Sequence, residues 1–99
     1  MTTLEFDFEV NECTDKNVPI IIALRNSVGM KLKAAKHLVD ASKINPLRIR
    51  MNVMQFGIFM ATLYERKAEE DVYISYMKTC DEIKKTLYDF TGNVISQGI

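Results

Sequence analysis

Residues 29–39 read Gly29-Met30-Lys31-Leu32-Lys33-Ala34-Ala35-Lys36-His37-Leu38-Val39, and the fold turns on how this stretch is read. The glycine supplies the left-handed residue that ends a helix. A second helix is expected at once, over residues 30–41. Leu32, Ala35, Leu38 and Val39 recur at helical spacing on one side, while Lys33, Lys36 and His37 fall on another. Two helices joined without a linker make a tight helical hairpin.

Upstream, residues 18–28 form the first arm of that hairpin. Asn17 is placed to cap it, and Pro19 is tolerated in a first turn, where the missing N–H had no partner. This arm has two apolar sides. Ile20, Ala23, Leu24, Ser27 and Val28 make one; Val18, Ile21 and Ile22, with Arg25 beside them, make the other. Only one side can face a sheet. The second either packs on a neighbouring helix or stays open as an apolar strip rimmed by Arg25, Lys33 and Lys36. An apolar centre with arginine at its margin is the usual composition of a protein-binding patch.

The flanking segments supply the sheet. Leu4, Phe6, Phe8 and Val10 alternate with Glu5, Asp7 and Glu9, a strand with one wet, acidic face. After Pro46, Leu47, Ile49, Met51 and Val53 alternate with Arg48, Arg50 and Asn52, a second strand whose arginines are suited to pair with the acids of the first. Residues 54–68 are expected to be a third helix with its stripe on Phe56, Met60, Leu63 and Tyr64. Residues 72–77 are expected to be a third strand. Thr79 and Glu82 have capping-box spacing for a fourth helix to about residue 90, with Ile83, Leu87 and Phe90 on one face. The fold class is therefore α+β: a small three-stranded sheet covered by helices, in the order β-α-α-β-α-β, plus a C-terminal helix. Residues 1–91 make a single domain, with the added helix from about residue 79, and residues 92–99 a loose tail.

Composition narrows the function. Thirteen bases balance thirteen acids, so whole-molecule charge recommends neither nucleic acid nor an anionic membrane. The charge is unevenly spread. Residues 1–15 hold five acids and no base, whereas residues 25–50 hold seven bases against Asp40 alone, a local basic region that makes a nucleic-acid backbone an alternative partner. Cys13 and Cys80 lie outside any paired motif and read as reduced thiols. With no signal segment and no apolar run of membrane-spanning length, a cytoplasmic protein is expected. The lone histidine, His37, has no ligand or carboxylate pattern around it, and no Gly-rich phosphate loop is present. No metal, no cofactor and no catalysis are expected.

From Glu5 to Asp40 the chain resembles the C-terminal domain of the bacterial ribosomal stalk protein, which shares the ClpS-like fold. The resemblance rests on Glu5-Phe6-Asp7-Phe8, on residues 18–25, and above all on Gly29 with Leu32-Lys33, Ala35-Lys36 and Leu38-Val39. The gapless part covers about a third of the chain; beyond it only the order of elements and the hydrophobic pattern continue. The resemblance implies a non-catalytic module that engages translational GTPases, with partner contacts on Val18, Ile21, Ile22, Arg25, Gly29, Lys33 and Lys36. The chain departs from the family pattern at Ile22, where the family has lysine, at Lys31, where it has glycine, and at Ala34, where it has an acid. It also lacks the family's dimerisation segment and hinge. A free-standing relative, such as a phage-encoded mimic or adaptor acting on a translation factor or another host protein, is the expectation, as a monomer or weak homodimer. The alternatives are an adaptor of the ClpS kind serving an AAA+ protease, suggested by residues 14–19, and a nucleic-acid binder using the basic 25–50 region.

Overall fold

The alternating first segment forms β1 (Thr2–Val10), the middle strand of the sheet. In the computed structural model, which describes residues 2–81, its Phe6, Phe8 and Val10 are fully buried, and Glu5, Asp7 and Glu9 take the opposite face. Two further strands, β2 (Leu47–Asn52) and β3 (Val72–Asp81), pair with it on either side, both antiparallel, so the sheet order is β2-β1-β3. With α1 (Asn17–Val28), α2 (Leu32–Ser42) and α3 (Val53–Glu65), the order is β-α-α-β-α-β, an α+β fold. The expected fourth helix lies outside the described residues, as does the tail.

One face of the sheet is covered by helices and the other is wet. On the covered side Phe8 meets Phe59 of α3 edge to face, 5.9 Å between ring centres, and Phe6 meets Phe56 in the same way at 5.4 Å. Ile20, Ala23 and Leu24 of α1 with Ala35 and Val39 of α2 complete this core. On the wet face the expected cross-strand pairs form. The register sets Asp7 opposite Arg48 and Glu5 opposite Arg50, and both pairs are hydrogen-bonded. Lys78 on β3 adds a second cation to Glu5 at 3.2 Å.

Several boundaries differ from expectation. Asn17 does not cap α1; it is the first helical residue, and its side-chain oxygen is buried without a partner. The cap position is Lys16, whose N–H donates to the Thr14 hydroxyl. Val53 is not a strand residue. Asn52 closes β2 by capping α3, its side chain accepting from the Gln55 N–H while the Gln55 side chain accepts from the Asn52 N–H. Starting the helix there centres its buried sector on Phe59, Thr62 and Leu63. Tyr64, expected in the stripe, is exposed, and Phe59, expected off it, is at the core. Thr79 does not start a helix: β3 runs through it, opposite Leu4. A register shift between Glu5 and Asp7 opens a bulge in β3, where Tyr76 has φ 53°. The extra residue keeps Met77 and Thr79 on the inward face.

Candidate protein-binding site

The hairpin is made by one residue. Gly29 has φ 71°, the left-handed conformation, and its N–H donates to the Arg25 carbonyl at 3.0 Å. A side chain in that conformation is costly for steric reasons internal to the backbone. Met30 and Lys31 then cross to α2, which starts at Leu32 rather than Met30. Arg25, one turn before the glycine, donates from Nε to the Met30 carbonyl at 3.3 Å, so the arginine at the rim also braces the turn.

On α1, Val18, Ile22 and Arg25 follow one another at spacings of four and three and point away from the core. Val18 and Arg25 are exposed, and Ile22 is half-buried. Ile21 is a correction. It is 9% exposed and belongs to the core beside Ile20, because the buried sector of α1 is wide enough to include it. Leu32 is another. Expected on the inner face of α2, it is 56% exposed, since it opens the helix at the rim of the sector defined by Ala35, Val39 and Ser42.

Two depressions meet at the turn. Ile22, Arg25, Asn26, Gly29 and Met30 line one of about 430 Å³. The other is an open groove of about 840 Å³ along the outer side of α2. Its apolar floor comes from Met30, Ala34, Leu38, Ala41 and Leu47, and Lys31, Lys33 and His37 stand at its margin. Met30 belongs to both. Of the expected contact residues, Ile22, Arg25 and Gly29 therefore fall together, and Lys33 falls in the adjoining groove. Lys36 is exposed but lines neither, and Val18 lies a turn away along α1. The groove floor was missed, although Met30, Ala34, Leu38 and Ala41 recur at spacings of four, four and three, a helical stripe in its own right.

The basic region of residues 25–50 divides in two. Arg48 and Arg50 lie on the wet face of the sheet, engaged with Asp7 and Glu5. The Asp7 carboxylate pushes the Arg48 pKa up, and the hydrogen bonds from Arg50 and then Lys78 hold the Glu5 carboxyl below its usual range. Arg25, Lys31, Lys33 and Lys36 stay exposed on the hairpin. Among the described residues no group of three or more His, Cys, Asp or Glu could hold a metal ion, and no helix is long and apolar enough to cross a membrane. Cys13 is an exposed free thiol.

Comparisons with protein-family models, with curated proteins and with solved structures return no match.

Proposed function

We propose that this chain is a protein-binding module that grips its partner with the α1–α2 hairpin. The observation that carries this reading is the pair of adjoining depressions sharing Met30, with an apolar floor and a margin of Arg25, Lys31, Lys33 and His37. Apolar floors bury partner side chains, and marginal cations steer and orient carboxylates. The partner class we favour is a translational GTPase, through the resemblance to the ribosomal stalk domain. The element order and the left-handed Gly29 support that resemblance. Ile22 and Lys31, which depart from the family pattern, both stand at these depressions and would retune partner choice.

A nucleic-acid reading has less support, because two of the seven bases it relies on are already paired with carboxylates on another face.

The test is direct binding of purified translational GTPases to the wild type and to Arg25→Glu with Lys33→Glu. Each lost charge-assisted contact costs about 1.5–3 kcal/mol, so the double variant should bind at least about tenfold more weakly. Its stability to unfolding should fall by no more than loss of the Arg25–Met30 hydrogen bond costs, about 0.5–1.5 kcal/mol. Arg48→Glu, on the wet sheet face, should bind like wild type. Undiminished binding by the double variant removes the hairpin from the interface. Salt-sensitive binding of mixed-sequence RNA or DNA moves the assignment to nucleic acid.

A further inference from the structure

The groove beside α2 is specific in shape as well as in charge. Along the helix its floor runs Met30, Ala34, Leu38 and Ala41, large and small side chains in turn, and Leu47 at the start of β2 completes the apolar lining. A row at spacings of four, four and three is a ridge along the helix surface, and its two alanines are gaps in that ridge. They stand seven residues apart, so about 10 Å separates them along the axis. A second helix with large side chains at i and i+7, and a third at i+4 beside Leu38, matches that spacing.

That the occupant is a helix follows from the backbone. Along its length α2 pairs its N–H and C=O groups internally, so this wall offers an extended peptide no main-chain partners. Such a peptide would lay its backbone on an apolar floor and leave donors and acceptors unpaired. A helix satisfies its own backbone and presents only side chains, as amphipathic helices do in apolar grooves. The lining reaches from Met30 to Ala41, about 16 Å or three helical turns.

The charge is graded along the groove. Lys31, Lys33 and His37 are exposed at its margin; among the described residues no acid lines it and neither lysine is ion-paired. Lys33 and His37 are one turn apart on one flank, and further along that flank stands Asp40, exposed beside the Ala41 end. The groove is therefore cationic where it meets the Gly29 turn and not at its far end.

We propose that this groove takes an amphipathic helix of a partner protein, with apolar side chains at i, i+4 and i+7 on its floor and carboxylates at the end lying over Lys31 and Lys33. The proposal rests on the hairpin's being a protein-binding surface, and it specifies the element bound. The lysines steer such a helix and fix its orientation; the apolar floor holds it.

The probe is a synthetic peptide of that pattern, with leucines at i, i+4 and i+7 and glutamates clustered at one end, titrated into the full-length protein by fluorescence anisotropy and amide NMR. It should bind and shift the amides of Ala34, Leu38, Ala41 and Leu47, leaving those of residues 72–75 in place. Ala34→Glu, at an exposed helical position, closes one gap with an acid and should weaken binding at least about tenfold, as should Lys31→Glu with Lys33→Glu. A peptide with lysine in place of glutamate should not bind. Equal binding by the lysine peptide, or by one broken at its centre by proline, overturns the proposal, since neither charge nor helix would then be read. The same amide shifts on concentrating the protein without peptide would make a second copy the occupant and overturn it too. A translational GTPase separates the two readings. GTPase binding lost in Arg25→Glu but kept in Ala34→Glu, with no peptide bound, overturns this proposal and leaves the hairpin reading intact. Peptide seated in the groove with no GTPase bound supports this proposal and removes that partner.

Discussion

The hairpin and α3 both turn a surface to solvent, and the two surfaces are built in opposite ways. Outward on the hairpin, Val18 and Ile22 are interleaved with Arg25 and Asn26, and Lys33, Lys36 and Asp40 stand out from α2. Outward on α3 there is no such admixture. Residues 53–64 contain no charge at all, and Val53, Met54, Ile58 and Tyr64 are exposed, Met54 by 70%. A mixed surface remains soluble when its partner is absent, which suits an association that comes and goes. A helix apolar on all sides belongs to one that is covered.

The largest effect tests how firmly α3 is held from beneath. Phe59 is fully buried against Phe8, so Phe59→Ala should cost about 3–5 kcal/mol in urea denaturation. A cost near zero would break the comparison, since α3 would then be anchored on neither side.

The next effect sets the two glycines against each other. Gly29 is left-handed with open space where a Cβ would go, so Gly29→Ala should destabilise by about 1–2 kcal/mol through the backbone alone. Gly57 sits in the interior of α3, also facing open space, and helix propensity makes Gly57→Ala stabilising by up to about 1 kcal/mol. Thermal denaturation of both variants reads the two signs. A destabilising Gly57→Ala would break the contrast, since Gly57 would then not be an ordinary helix-interior position facing open space.

The smallest effect lies on the sheet that both regions rest on. Glu5 is hydrogen-bonded by Arg50 and Lys78, which hold its pKa below the ordinary 4.5. The stability it contributes is present above the ordinary value and is lost as the pH falls through the lowered one. Urea midpoints followed from neutrality into the acid range should decline there, and Arg50→Ala with Lys78→Ala should flatten that decline. An unchanged acid limb would take the wet face out of the stability of both regions.

Most of the fold was legible because its signals are local. The alternation of β1 and β2 gave their inward rows and the cross-strand ion pairs of Arg48 and Arg50. Gly29 gave the hairpin. What was lost depended on where elements start. Val53 extends the alternation of β2, so the capping box of Asn52 and Gln55 passed unread and the stripe of α3 was placed around Tyr64 rather than Phe59. Thr79 has capping-box spacing, but its place opposite Leu4 holds it in β3, a tertiary pairing that outweighs a local preference. At the site, Ile22, Arg25 and Lys33 could be read from spacing. Ile21 could not be told from them, because the width of a buried sector is decided by neighbours distant in sequence.

The position of β1 also governs the order in which the molecule can be made. The first strand to be synthesised is the middle strand of the sheet, and Thr2 pairs with Asp81. The hairpin's contacts are short-range and can form early. β1 stays unpaired on one side until β2 emerges and on the other until β3 does. Contacts this distant along the chain slow folding, and they leave Leu4, Phe6 and Phe8 presented as an uncommitted strand during synthesis. The acids between them, Glu5, Asp7 and Glu9, then act as gatekeepers, discouraging that nascent strand from pairing with another of its kind.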